Sequence, residues 1–131
     1  LRTLAGELGV GAAVIFRGRI SDDELVDAYR RARLVASASI SEGWGMTLTE
    51  AAACATPAVA TDIAGHRDAV IDGRSGLLAT TDDDLAGLLV EAMGSRWDQL
   101  SAGALTAATR FDWDRTAAGV FRILASTVPA L

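Results

Sequence analysis

Two glutamates eight positions apart, Glu42 and Glu50, enclose the segment Gly43-Trp44-Gly45-Met46-Thr47-Leu48-Thr49. Glycine lets backbone N–H groups come close to a ligand and admits positive φ. A helix opening just after Gly45 would turn unpaired N–H donors and a partial positive charge toward the loop. Such a seat suits a diphosphate or the hydroxyls of a sugar. Carboxylates accept hydrogen bonds from vicinal hydroxyls and repel phosphate, so the acids are expected on sugar and ribose and the amides on phosphate. A Gly-x-Gly turn before a helix is also common, and the same residues fit a tight turn with two solvated acids. Spacing alone leaves both readings open.

The elements that must position these residues alternate between short apolar runs and amphipathic helices. Residues 3–8 read as the end of a helix, with Leu4 and Leu8 one turn apart. Ala13-Val14-Ile15-Phe16 reads as a buried strand closed by Gly18. Ser21-Asp22-Asp23-Glu24 has the spacing of a capping box, and the helix after it puts Leu25, Ala28, Tyr29 and Ala32 on one face. Leu34-Val35-Ala36-Ser37 is a second strand, Thr47 to Cys54 a helix ended by Pro57, and Ala58-Val59-Ala60 a third strand. A helical turn near Arg67 to Ile71, the turn Asp72-Gly73-Arg74-Ser75-Gly76 and the strand Leu77-Leu78-Ala79 follow.

The remainder reads as three helices. The first is capped at Thr81 and buries Leu85, Leu88, Leu89 and Ala92; the second covers Trp97 to Thr109. The third runs from Trp113 to Leu124 with Trp113, Ala117, Val120, Phe121 and Leu124 facing inward. Strands alternating with helices imply a parallel sheet, because each return needs a crossover. The predicted class is α/β and Rossmann-like, with the ligand at the carboxyl ends of the strands.

Composition bounds the function from outside. The chain has 131 residues, half of them hydrophobic, enough for one domain with its own core. A net charge of −5 with no basic cluster argues against nucleic acid as a partner. No apolar run approaches the roughly 20 residues of a membrane span, and no signal peptide opens the chain. The lone cysteine, Cys54, excludes an intrachain disulfide and suits a reducing compartment. The chain starts on Leu1, which reads as an excised piece of something longer.

The glutamate segment resembles the glutamate-x7-glutamate signature of retaining glycosyltransferases of the group 1 (family 4) type. Ser39, Glu42, Gly43, Gly45, Glu50, Ala51, Ala53, Cys54, Thr56, Pro57 and Val59 match the family pattern, with Trp44 in place of its usual Phe. The likeness continues through Ile63-Ala64-Gly65-His66-Arg67-Asp68-Ala69-Val70 and Asp72-Gly73-Arg74-Ser75-Gly76-Leu77-Leu78. It also takes in Val14-Ile15-Phe16-Arg17-Gly18 with Asp23-Glu24-Leu25, and Phe111-Asp112-Trp113-Asp114, and so covers nearly the whole chain. Ala55 stands where the family prefers glycine; if that position needs positive φ, it carries strain of about 1 kcal/mol.

The resemblance implies one half of a GT-B fold, residues 1–131 being the C-terminal nucleotide-sugar-binding domain. The first part of that domain and the N-terminal acceptor-binding domain would lie outside the segment. Glu50 is then expected on the ribose hydroxyls and Glu42, as the catalytic residue, beside the donor sugar. The backbone of Gly43, Trp44, Gly45 and Met46 would meet sugar hydroxyls, Met46 and Thr47 would lie near the β-phosphate, and Gly18, Arg19 and Ile20 would flank the base. The family neutralises the departing nucleoside diphosphate without a metal, by helix dipoles and an Arg/Lys pair. That pair would precede Leu1, so the segment alone is expected to be inactive. The implied ligand is a UDP-, GDP- or ADP-sugar, with no cofactor. The implied location is cytoplasmic, with any membrane association supplied by the missing part.

His66, the only histidine, reads as a surface residue at a helix start, with ligand contact as the alternative. Cys54 reads as buried and inert. Asp82, Asp83 and Asp84 read as helix-dipole complements rather than a cation site, and one His with one Cys makes a metal site a poor fit. Competing assignments are a GT-B sugar-nucleotide epimerase relative and a non-catalytic Rossmann-like nucleotide-binding module. The absence of Gly-x-Gly-x-x-Gly after the first strand argues against a dinucleotide domain.

Overall fold

The computed structural model describes residues 1–127; residues 128–131 lie outside it. Its elements are α1 (Arg2–Glu7), a 3-10 turn (Gly11–Ala13), α2 (Asp22–Arg31), β1 (Val35–Ser37), α3 (Met46–Ala53), β2 (Ala58–Thr61), α4 (Ala64–Ala69), β3 (Gly76–Ala79), α5 (Asp82–Met93), α6 (Trp97–Ala108) and α7 (Trp113–Thr127). The three strands form a parallel sheet in the order β1-β2-β3, with Ala36 opposite Val59 and Val59 opposite Leu77. α3 and α4 supply the two crossovers, as a parallel sheet requires.

Successive side chains of a strand point to opposite faces, so β2 feeds two cores. Ala58 and Ala60 join Leu48, Ala69 and Val70 on the side of α3 and α4, while Val59 joins Leu77, Ala92 and Leu100 on the side of α5 and α6. Leu48 and Leu100 are 1% and 0% exposed, and burying each contributes about 1.5–3 kcal/mol. Elsewhere close approach replaces bulk: a β-carbon on Gly76 would collide with the carbonyl of Ala58, so β2 and its neighbour pack without room for a side chain. The chain thus has the α/β, Rossmann-like architecture that its patterning predicts.

Both capping signals are realised. Ser21 Oγ accepts from the Glu24 N–H while Glu24 reaches back to the Ser21 N–H, and Thr81 and Asp84 repeat the arrangement on α5. α3 ends in a Schellman motif: the Thr56 N–H donates to Ala51 O and the Ala55 N–H to Ala52 O. Ala55 adopts the left-handed conformation, φ 62°, that its place after the helix demands.

Three expectations fail here. Residues 13–16 form no strand: Ala13 closes the 3-10 turn and Ile15 is 81% exposed. An apolar run becomes a strand only when a neighbour supplies a ladder, and β1 pairs with β2 alone among the described residues. The sheet therefore has three strands where the pattern predicts four. In α7, Trp113, Ala117, Val120, Phe121 and Leu124 do not face inward; none of its residues is buried, and Trp113 is 86% exposed. The helix is amphipathic, but no described element covers its apolar side. Cys54 is half-buried rather than buried, as the C-cap of α3.

Candidate functional site

The loop from Ala38 to Gly45 leaves the carboxyl end of β1 and opens α3, as the topology of a parallel sheet predicts for a ligand seat. Gly45 is the N-cap of α3 and makes no side-chain cap, and no acid stands in the first turn. Among the described residues, no acceptor takes the N–H of Thr47. The start of α3 thus presents one free backbone donor, the Thr47 N–H, strengthened by the helix dipole, while the Met46 N–H turns back to Trp44 O at 2.8 Å.

The loop is supported from beneath by α4. The Gly45 N–H donates to Gly65 O at 3.3 Å. A β-carbon on Gly65 would collide with Glu42 O, and one on Gly45 would meet Leu48 Cδ1 at 3.0 Å and His66 Cδ2 at 3.3 Å. Two glycines on different elements therefore let the backbones touch, and the touching fixes the height of Glu42 above the sheet.

Each glutamate is exposed and receives one side-chain hydrogen bond. Ser39 Oγ donates to Glu42 Oε1 at 3.0 Å, and Tyr29 Oη donates to Glu50 Oε2 at 3.1 Å. Tyr29 lies on the buried face of α2, and its backbone carbonyl accepts from Thr56 Oγ1, which ties α2 to the turn after α3. Burial, then the bond to Glu50, pushes the Tyr29 phenol up to about 12. Trp44 sets its ring edge-on to Phe111, centroids 5.3 Å apart, which anchors the outer part of the loop to the turn before α7. Met46 and Thr47 are exposed at the start of α3.

Sequence-derived candidates 42–47 and 50 are therefore brought together around one helix N-terminus. Gly18, Arg19 and Ile20 are not joined to it by any hydrogen bond among the described residues; they lie on the loop entering α2, with Gly18 at φ 67°. A shallow cavity of about 230 Å³ crosses the carboxyl ends of the strands, lined by Ser39, Thr61, Ala79 and Thr81 among others. Neither glutamate lines it; they flank the α3 N-terminus in the open. Among the described residues no group of three or more His, Cys, Asp or Glu side chains is placed to hold a metal, and no helix is long and apolar enough to cross a membrane.

His66 is not on the surface. It is 1% exposed, with Nδ1 2.8 Å from Thr61 O and Nε2 3.2 Å from Ser37 Oγ. The buried ring is tolerated because both nitrogens find polar partners at the strand ends. Tyr29 and Ser37 are the other site-supporting residues that the sequence reading omits. A tyrosine on an otherwise apolar helix face is the available signal for the first, since its hydroxyl must find a partner when buried.

The sequence profile of the family described as glycosyl transferases group 1 matches residues 1–101. The chain belongs to this family. Among group 1 relatives, the D-inositol 3-phosphate glycosyltransferase of Acidothermus cellulolyticus is 40% identical over 128 residues, which is 94% of this chain and 28% of that protein. The enzyme of the same name from Mycolicibacterium vanbaalenii is 41% identical over 118 residues, 88% of this chain and 26% of its own length. The chain spans under a third of both relatives. Anabaena HepE, solved in complex with UDP and glucose, superposes with a TM-score of 0.82 at 25% identity, over 95% of this chain and 35% of its own. Sucrose-phosphate synthase from Thermosynechococcus elongatus shares the fold, with a TM-score of 0.80 at 24% identity over 97% of this chain and 34% of that one. The fold is that of one Rossmann-like half of a GT-B glycosyltransferase.

Proposed function

We propose that this segment binds the nucleotide sugar of a retaining glycosyltransferase that moves a sugar from a nucleoside diphosphate to an acceptor. One observation carries the reading: an uncapped helix N-terminus stands between two exposed carboxylates, each aimed by a hydrogen bond from its own support. Backbone donors and a helix dipole suit the diphosphate, and carboxylates suit hydroxyls. The likeness to HepE, whose structure holds UDP and glucose, supports the same class of ligand.

In this reading Glu50 accepts from the ribose hydroxyls. Glu42 lies against the donor sugar, where its charge favours the oxocarbenium-like transition state. The backbone of Gly43, Trp44, Gly45 and Met46 meets sugar hydroxyls, and Met46 and Thr47 lie by the β-phosphate. Gly18, Arg19 and Ile20 flank the base. The leaving group is neutralised by the α3 dipole and basic residues of a longer chain, without a metal. The acceptor is held by a further domain of that longer chain, and this segment alone turns over no donor.

Calorimetry with UDP-, GDP- and ADP-sugars tests the reading. One of the three binds the wild-type chain, and Glu50→Ala abolishes that binding. Binding of NAD or FMN instead would replace the reading with that of a non-catalytic nucleotide module. Transferase turnover by residues 1–131 alone would overturn the division of labour.

A further inference from the structure

We propose that His66 is a positioning residue for Glu42: its buried ring is the post around which the glutamate loop is wrapped. The inference deepens the nucleotide-sugar reading and rests on it for its consequence, though not for its geometry.

The ring touches the loop's two ends and acts on its middle. At the start of the loop, Nε2 lies 3.2 Å from Ser37 Oγ, and Ser37 Oγ lies 3.3 Å from Ser39 Oγ, which donates to Glu42 Oε1 at 3.0 Å. At the end of the loop, His66 Cδ2 lies 3.3 Å from where a β-carbon on Gly45 would stand. In the middle, the Thr61 hydroxyl donates to the carbonyl of Ser39 at 2.5 Å, and the same residue's carbonyl is held by His66 Nδ1 at 2.8 Å.

Proton assignment follows from these partners. Thr61 O can only accept, so Nδ1 carries a proton. In the neutral ring Nε2 is then an acceptor and takes the Ser37 hydroxyl proton. The Ser39 hydroxyl is left with a charged acceptor, Glu42, and an uncharged one, Ser37 Oγ, and the carboxylate forms the stronger bond. The ring thereby fixes Ser37, and by holding Thr61, whose hydroxyl donates to the Ser39 carbonyl, it fixes the main chain from which the Ser39 hydroxyl reaches Glu42. Gly65, next to His66, presses its backbone on Glu42 O, so helix α4 fixes both the main chain and the side chain of that residue.

The test compares UDP, GDP and ADP with their glucose conjugates on wild-type chain, His66→Leu, His66→Gln and Ser37→Ala. For the nucleotide that binds, His66→Leu is expected to keep the free diphosphate's affinity within about twofold and to weaken the glucose conjugate about tenfold, the loss of one charge-assisted hydrogen bond. His66→Gln, whose amide N–H can still hold the Thr61 carbonyl, restores the conjugate to within about threefold, and Ser37→Ala weakens it less than His66→Leu does. An equal loss of both ligands in His66→Leu, or no loss of either, overturns the proposal.

A ligand-free readout separates this inference from the function it serves. Ring 15N shifts should report the Nδ1–H form, and amide exchange from Ser39 to Gly45 should quicken in His66→Leu and not in His66→Gln. If none of the nucleotides binds the wild-type chain, the nucleotide-sugar reading fails and exchange alone decides the positioning role. Unchanged exchange in His66→Leu, or an Nε2–H ring, then overturns it.

Discussion

α2 and α3 begin in opposite ways. The N-terminus of α2 is closed by its own residues: Ser21 and Glu24 take up each other's backbone donors, and the hydrogen bonds from Ser21 hold the Glu24 carboxyl below the usual range. α5 does the same with Thr81 and Asp84, whose carboxyl is likewise held low by bonds from Thr81 and Thr80. α3 opens on a glycine with no cap and no acid in its first turn. Its loop is instead fixed from outside, by Gly65, His66 and the Trp44–Phe111 contact. A helix that caps itself uses its donors for stability. One held open by its neighbours leaves a donor free, here the Thr47 N–H.

Removing the external support should have the largest effect. Gly65→Val drives a β-carbon into Glu42 O, against backbone that cannot swing aside. The expected result is at least about tenfold weaker nucleotide-sugar binding, with a stability loss of about 1–3 kcal/mol. Calorimetry and urea unfolding read the two. Gly9→Ala is the control in the turn after α1, where a β-carbon meets nothing within 4 Å and the φ of 69° sets the cost. It should lose about 1–2 kcal/mol of stability. Equal binding losses in the two variants would erase the distinction between a supporting glycine and a turning one.

The second prediction reads the other carboxylate. Tyr29 is the only tyrosine, so the phenolate absorbance of the folded chain reports it alone. Its midpoint should fall near 12 in the native state, against 10.0 for an ordinary phenol. Because the folded pKa is raised, the stabilising contact is fully present below pH 10 and is lost as pH rises through 12. Glu50→Gln should bring the midpoint down, and Tyr29→Phe should flatten the alkaline loss of stability. A native midpoint at 10 would detach Tyr29 from Glu50.

A smaller effect is expected at the self-capped end. Ser21→Ala should cost about 1 kcal/mol of stability and leave nucleotide-sugar binding unchanged. It should also soften the acid limb: the depressed Glu24 carboxyl contributes stability above its ordinary pKa that is lost as pH falls through the lowered value. Thermal melts at pH 7 and at pH 3–4 (about one unit around an ordinary carboxyl) check both.

What is legible in the sequence is what a residue and its near neighbours decide. The Ser21 capping box, the Thr81 cap, α3, β2, β3 and the parallel sheet follow from local spacing and from the need for crossovers. The gathering of Glu42, Gly45 and Glu50 around the start of α3 is legible for the same reason. The run Val14-Ile15-Phe16 and the apolar side of α7 are not, because whether an apolar stripe is buried depends on a partner that the stripe does not encode. His66 escapes for a related reason: its burial is set by Ser37, twenty-nine positions earlier, and by the way α4 crosses the strand ends. Tyr29 looks like core and is core, but its hydroxyl reaches out of the core to Glu50.

Ala55 sharpens the comparison at the far end of α3, where backbone strain serves no ligand. Its φ of 62° completes the Schellman turn, and its carbonyl accepts from Ser101 Oγ at 2.7 Å, which ties the turn to α6. The left-handed conformation costs an L-residue about 1–2 kcal/mol. Glycine would remove that strain but lose about 0.5–1 kcal/mol through the greater entropy of the unfolded chain. Ala55→Gly should therefore gain about 0.5–1 kcal/mol net, a rise of a few degrees in melting temperature, with nucleotide-sugar affinity unchanged. Glycine would then stand at both ends of α3 for different reasons: at the N-cap, Gly45 lets the loop meet α4, and after the C-cap the substitution lets the chain turn without strain. Should Ala55→Gly destabilise the chain, the unfolded-state term outweighs the strain and alanine is the better residue for this turn. Should it also change nucleotide-sugar binding, the two ends of α3 are coupled, and the separation between a structural turn and a ligand-facing one fails on this helix.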